Sequence, residues 1–426
     1  MKKVWLVSLV IISLFVVAAF STTLTVWVFQ ANTTASPWAT TLSMFEKANP
    51  DIHLNISYIP APTPTVYQTL TTSIMAGNPP DVCVFFDRFN IGTWAGQGYL
   101  TPLTTYIKNA KINLSDFYPF TVDECTYNGQ VYGLPLNTDA RAVWYNIHVL
   151  NQFGIPLPSE TTPMTWSQFE QDVIKTTTID PKTGLYDTLG WDYLADQGMW
   201  FYTWAWQAGV KFYDPATKKF TFDSPAGLQV MNFFKYFADK IPADKVAAST
   251  AGYANGLLSA MAQNKLAFFV DGPWDIPTFN QLGLKFGVDY GVTPLPVPEG
   301  GQSATWSGGF ATMIPTGAKN VADGFKLVEF LSVGAGAEYY DKAAVQLPAD
   351  ISMAHEIYGN DPQIMYFVNL LDHSHNRPVV PVGSQLWNYL SDAVSNVVYG
   401  KMTPQAALTW AQQQSQTALD QFYANQ

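Results

Sequence analysis

Charge is scarce in this sequence. Of 426 residues, 13% are Asp, Glu, Lys or Arg, about half the share usual for a soluble domain. Its surface must therefore be dressed largely in Ser, Thr, Asn and Gln. The charge that is present leans acidic, net −11, which disfavours nucleic acid or an anionic membrane as a partner. Few carboxylates also means little to lose on protonation, a composition suited to an acidic exterior. Cysteine is nearly absent, with Cys83 and Cys125 the two in the chain. Neither belongs to a CxxC pair, which argues against a metal or redox role. Cys83 sits in an apolar run, so a buried free thiol and a disulfide with Cys125 are equally open. Enzyme signatures are missing: no GxSxG elbow, no phosphate-cradling GxxxxGK(S/T), no HExxH. His373 and His375 form an HxH pair without a third ligand at recognisable spacing, so no metal or other cofactor is expected. Internal repeats and low-complexity linkers are absent too.

One long apolar run stands at the N-terminus. Lys2 and Lys3 precede Val4 to Phe20, and Ala19-Phe20-Ser21 places small residues three before and one before a cut. This is the pattern of a secretory signal peptide, residues 1–21, cleaved after Ser21. The run is short for a spanning helix, which needs about 20 apolar residues; an uncleaved anchor is the alternative. No Cys near the cut offers a lipid attachment point. The chain is thus expected to be exported, periplasmic or extracellular. Export also makes a disulfide permissible.

The remaining chain is too long for one ordinary core and fits two lobes. Hydrophobic residues, at 48%, are ample for burial. Aromatic residues reach 15%, with 14 Trp and 22 Tyr. Most must fill core; a minority displayed in a cleft would suit a ligand with flat, weakly polar faces, such as a sugar ring.

The mature chain alternates strands and helices. Leu24 to Phe29, Ile52 to Ile59 and Asp81 to Phe86 read as strands. Ser36-Pro37 caps a helix bearing Trp38, Leu42 and Phe45 on one face. Tyr67, Leu70 and Ile74 mark another, closed by Gly77. This order predicts a parallel sheet with helices on both faces, and ligands bind beyond the carboxyl ends of such strands. Residues just after Phe29 and Phe86 are therefore site candidates. Thr165 and Gln168 form a capping box, and Thr403-Pro404 opens a long C-terminal helix. The stretch Pro294 to Pro298 with Gly300-Gly301 reads as a crossing between lobes or a surface loop.

Six motifs, in order, carry a family likeness: Phe45-Glu46-Lys47-Ala48-Asn49-Pro50; Asn78-Pro79-Pro80-Asp81-Val82; Asp87-Arg88-Phe89 with Gly98-Tyr99-Leu100; Tyr127 to Pro135 with Tyr145-Asn146; Asp271-Gly272-Pro273-Trp274; and Tyr290-Gly291-Val292 with Leu295-Pro296. Each alone is weak. Together they resemble the extracellular solute-binding proteins of ABC sugar importers, and among them the maltose/maltodextrin-binding members. The likeness runs over nearly the whole mature chain.

The resemblance implies an α/β, two-lobed periplasmic-binding-protein fold of type II, each lobe a sheet flanked by helices and discontinuous in sequence. The lobes would be 22–142 with 294–331, and 143–293 with 332–426, joined by hinge segments. It implies that Asp87 and Arg88 grip sugar hydroxyls. Asp139 would stand in for a ligand-binding glutamate, with Arg141 as its alternative salt-bridge partner. Trp274 and Trp387 would stack on sugar faces. Trp200 would serve in a third stacking region whose register also admits Trp204 or Tyr202. Trp306, Gly308 and Gly309 lie where family members bring backbone amides to ligand. Gln30 and Asn32 stand where the maltose-binding members carry charged residues, a departure that allows a different sugar. The implied function is a non-catalytic, monomeric receptor that closes on a small carbohydrate and delivers it to the membrane subunits of an importer. Two alternatives remain beside it. A glycoside hydrolase would draw its acid and base from Asp87, Asp139 and Asp271. A glycerol-phosphate receptor of the same fold would need several basic residues in the cleft.

Overall fold

A computed structural model describes residues 21–30, 36–60, 64–253 and 256–425. Residues 1–20 of the expected export segment, and Asn32, lie outside them. The three expected strands are present as Thr22–Val28, Ile52–Tyr58 and Val82–Asp87. They run parallel, with Thr22–Val28 in the middle. The sheet as a whole is not parallel, however. Phe310–Met313 adds antiparallel beside Val82–Asp87, and Gly133–Pro135 closes that edge. Phe310–Met313 returns to this sheet only after the chain has built the second one, and the sequence reading missed both added strands.

Helices flank this sheet on both faces. Trp38, Leu42 and Phe45 bury one face of Trp38–Ala48. Val82 and Val84 point into the core beneath that helix, whereas Cys83 and Phe86 point into a second core on the opposite face. Alternation breaks at Phe85, which has φ +62° and shares the Val84 face. Thr312 faces both residues between the Ala311–Phe86 and Met313–Cys83 pairs. This is a β-bulge, which re-aims the strand end and Asp87 beyond it. A non-glycine aromatic at positive φ is strained. Stacking on Phe310 at 3.5 Å and edge contacts with Trp38 and Tyr340 hold Phe85 there.

A second sheet runs in the order Tyr290–Thr293, Ala142–Asn146, Leu266–Asp271, Tyr186–Trp191, Thr178–Ile179. Its core is rich in aromatic rings, with Trp144, Trp191 and Trp204 fully buried. The Thr165–Gln168 capping box is complete at the start of Trp166–Thr176. Thr403 caps Pro404–Ala424 through the Ala406 N–H. From Thr293 the proline-rich stretch carries the chain from the second sheet to the first.

The expected lobe boundary after residue 331 needs correction. The helix Val321–Ser332 packs on the strands of the first sheet, and Ala335–Ala344 packs on that helix and on Trp38–Ala48, with Tyr340 stacked on Trp38 at 4.0 Å. The first lobe's core thus continues to Ala344. Cys83 and Cys125 are both buried and free. They belong to cores on opposite faces of the sheet, so the disulfide reading is excluded.

Candidate ligand cleft

Four chain segments run side by side between the sheets. Thr138 pairs with Leu347, and its hydroxyl meets that of Ser307 at 2.6 Å. The Arg141 N–H donates to Thr305 Oγ1, which donates in turn to the Arg141 carbonyl. Thr305-Trp306 pairs in parallel with Ser374-His375. These segments form the floor of a cleft of about 700 Å³, within the size range of small-ligand sites.

Eight of the ten expected site residues line this one cavity: Asp87, Asp139, Trp200, Trp274, Trp306, Gly308, Gly309 and Trp387. Arg88 does not, which corrects its expected grip on ligand. It has no exposed surface. Its guanidinium donates to Glu124 at 3.1 Å, to Ser307 Oγ at 3.3 Å and to the carbonyls of Asn137 and Gly308. Its donors tie the crossing segments together from behind the cleft wall. Gln30 is the second correction. Its side-chain carbonyl accepts from Trp38 Nε1 and from the Tyr340 hydroxyl, so it is drawn toward the first lobe's helices rather than into the cavity.

The floor is built of aromatic rings and paired charges. Trp306 is 1% exposed, and the Arg141 guanidinium lies 3.6 Å above its ring and 5.3 Å from that of Trp274. Asp139 is paired with Arg141 and also accepts the Gly308 N–H at 2.5 Å. That amide, expected to face ligand, is thereby occupied. Gly309 sits at φ +118°, and a Cβ there would come within 2.6 Å of Arg88 Nη1 and of the Asn137 carbonyl oxygen; only glycine fits.

Trp274 stands on the turn after Leu266–Asp271. Its ring folds back over Gly272, where a Cβ would meet it at 2.1 Å. Glycine at 272 is thus a steric requirement of the ring's position. Trp200 is half-buried and meets Trp387 edge-on at 4.8 Å. Tyr202 stacks beneath Trp387 at 5.5 Å and 18°, while Trp204 is core, its Nε1 bonded to the Gly198 carbonyl. The register open in the sequence therefore puts Trp200, not Trp204, at the cavity.

Arg377 was missed. It lines the cleft, donates to Glu124 at 2.9 Å and to Asp87 at 3.3 Å, and lies 4.9 Å over Phe89 and 5.0 Å over Trp306. Burial raises the Asp87 carboxyl above its ordinary range, opposed by the Arg377 charge. A compositional signal was available: the chain has three arginines, Arg88, Arg141 and Arg377, and all three are buried around this cleft. Arginine is suited to buried, forked pairing with carboxylates. Tyr67, Phe85, Phe89, Asn90, Trp94 and Phe310 were missed too, all on the first lobe's side. Most are ordinary core residue types in sequence, so nothing set them apart.

Beneath Trp274, Asp271 and Asp275 form a carboxyl pair. Burial and the neighbouring Asp275 charge push Asp271 well up, and burial pushes Asp275 up to about 7. Asp271 does not line the cavity. Among the described residues no group of three metal-ligating side chains is found, and His375 instead stacks flat on Trp206.

A family model for bacterial extracellular solute-binding proteins matches residues 28–336. The chain is 26% identical over 364 residues to a maltooligosaccharide ABC transporter solute-binding lipoprotein of Streptococcus pneumoniae, covering 80% of this chain and 77% of that protein. It is 25% identical over 345 residues to a maltotriose-binding protein of Pyrococcus abyssi, covering 79% and 69%. Among solved structures, the mannotriose complex of CpMnBP1 superposes with TM-score 0.79 at 22% identity, over 93% of this chain and 100% of that one. These likenesses join a matched sequence span of more than half the chain to a shared two-lobed fold. The chain belongs to the bacterial extracellular solute-binding proteins.

Proposed function

We propose that the protein is an extracytoplasmic receptor that captures a sugar, an oligosaccharide such as a maltodextrin, and hands it to the membrane subunits of an ABC importer. One observation carries this reading: a cleft between two sheets in which Trp200, Trp274 and Trp387 are presented beside Asp87, Asp139, Arg141 and Arg377. A pyranose ring has an apolar face of C–H groups, which an indole covers, while its rim of hydroxyls needs donors and acceptors. The relatives named for maltooligosaccharide and maltotriose support the same class of ligand.

The charges speak for binding rather than reaction. Both carboxylates that line the cavity are paired with guanidiniums, which suits them to accept hydroxyl bonds. Both guanidiniums are likewise neutralised by carboxylates, so the lining carries no surplus cation for a phosphate. No reaction is catalysed in this reading. The receptor acts as a monomer, periplasmic or extracellular, and closes by hinge rotation. Among the described residues no helix is long and apolar enough to cross a membrane.

A thermal-shift screen against mono-, di- and oligosaccharides tests it, because a ligand bound only by the folded state raises the melting temperature. An oligosaccharide is expected to do so. Trp274→Ala and Trp387→Ala should each weaken its binding roughly tenfold or more, through lost stacking. No shift with any sugar, or new reducing ends on incubation with maltodextrin, would refute the reading.

A further inference from the structure

Among the described residues, four side-chain amides line the cleft: Asn90, Gln197, Gln346 and Asn388. Three of them are accounted for. Asn90 is closed off between the hydroxyls of Ser384 and Tyr67. Gln346 accepts from Asn137 Nδ2 at 3.2 Å and donates to the Ala344 carbonyl at 3.4 Å. Asn388 is exposed to solvent. Gln197 is different: it is half-buried, held at one end of its amide and open at the other.

Gln197 belongs to the short helix Asp196–Met199, which follows the second sheet's strand Tyr186–Trp191. Its Oε1 accepts from Arg141 Nε at 2.9 Å. A guanidinium only donates, so this contact fixes which end of the amide is oxygen and turns the NH2 end away from Arg141. The main chain is fixed as well. The Thr203 hydroxyl donates to the Gln197 carbonyl at 2.6 Å and accepts from Trp306 Nε1 at 3.2 Å. Gln197 is thus tied to the cleft floor through side chain and backbone before any ligand arrives, which lowers the ordering cost of binding. Its Nε2 has no hydrogen-bond partner among the described residues and is not sealed from solvent.

We propose that Gln197 is a ligand-binding residue whose Nε2 donates to a hydroxyl oxygen of the sugar ring stacked on Trp274. This proposal rests on the sugar-receptor reading above, and it adds a neutral donor and its place in the cleft. The Arg141 guanidinium carbon lies 5.3 Å from the centre of the Trp274 ring, so the groups that Arg141 holds stand beside that ring. It holds two, Asp139 through Nη1 and Gln197 through Nε. One guanidinium therefore sets an acceptor on one side and a donor on the other. A sugar hydroxyl both accepts and donates. An amide supplies the donor without burying a further charge.

The test uses the full chain and a sugar that the thermal-shift screen finds to bind. Gln197→Met keeps the length of the side chain and removes the amide. Gln197→Glu keeps the acceptor for Arg141 Nε and removes the donor. Gln197→Met should lower affinity about tenfold by calorimetry. Monodeoxy analogues of the same sugar then separate a bond to ligand from a role in positioning Arg141. One analogue should bind wild type about tenfold more weakly than the parent, and Gln197→Met should abolish that penalty. A deoxyfluoro analogue at the same position accepts weakly and cannot donate. Wild type should bind it better than the deoxy sugar; Gln197→Glu should not, because a carboxylate has no proton to give. If one variant fails to fold, the other carries its own comparison. If wild type binds sugar, but Gln197→Met removes no deoxy penalty and Gln197→Glu keeps the preference for fluorine, Gln197 is not a ligand residue and the receptor reading stands. If wild type binds no sugar, the receptor reading itself falls, and this proposal with it.

Discussion

The strands Val82–Asp87 and Leu266–Asp271, one in each sheet, are built alike. Each has five buried residues and a half-buried final Asp, followed by a 3-10 turn and a six-residue helix. Each turn lifts an aromatic ring to the cleft, Phe89 on one side and Trp274 on the other. The carboxylates at their ends nevertheless have opposite neighbours. Asp87 receives a guanidinium from Arg377, which lies 290 residues further along the chain. Asp271 receives another carboxyl, Asp275, four residues on, with Arg141 a weaker influence. One local design therefore yields an ion pair in the first lobe and a proton-holding pair in the second. The strand end supplies the carboxyl, and what packs against it decides the charge.

That contrast can be broken from either side. The largest effect should come from Glu124, which is 1% exposed and bridges Arg88 and Arg377. Glu124→Ala leaves two buried cations short of a partner and should cost about 3–5 kcal/mol, read as a lowered midpoint in chemical denaturation. An effect within error would mean that the cluster is solvated.

Arg377→Met should cost less, about 1–3 kcal/mol, because Glu124 keeps Arg88. It makes the surroundings of Asp87 more like those of Asp271. The Asp87 carboxyl should then titrate higher still, followed by carboxyl NMR, and sugar affinity should fall. An unmoved titration would separate Asp87 from Arg377.

The smallest effect concerns pH. The Asp275 carboxyl is pushed up to about 7 and that of Asp192 to about 6, both by burial. A folded-state value raised above the unfolded one means that folding takes up protons. The resulting stability is complete below about pH 4 and is lost as pH rises through about 6 to 7. The melting temperature should therefore rise on acidification from pH 8 toward pH 4. Asp275→Asn should flatten that rise; an unchanged slope would remove the carboxyl pair from the explanation.

Much of the architecture was legible because its causes are local. Capping at Thr165 and Thr403, and the apolar stripe of Trp38, Leu42 and Phe45, depend on residues within a turn or two of each other. Asp87 and Trp274 were legible as strand-end and turn residues within ordered motifs. Arg88 was misread because a motif names a residue without saying which way its side chain points. In this fold the glycine-backed crossing segment at 307–309 draws it behind the wall. Arg377 belongs to no local motif, because its partners, Asp87 and Glu124, lie more than 250 residues away; only the scarcity of arginine set it apart.

The sequence by itself determined the elements, the supply of aromatic rings and the carboxylates at two strand ends, since periodicity, capping and steric needs such as Gly272 under Trp274 act over a few residues. Tertiary structure alone decided which rings face the cleft, which guanidiniums neutralise which carboxylates, and which lobe owns the helix Ala335–Ala344. Apart from the Asp139–Arg141 pair, two residues apart and open to reading in the sequence, those outcomes follow from burial and low-dielectric pairing between segments far apart in the chain, which no local pattern encodes.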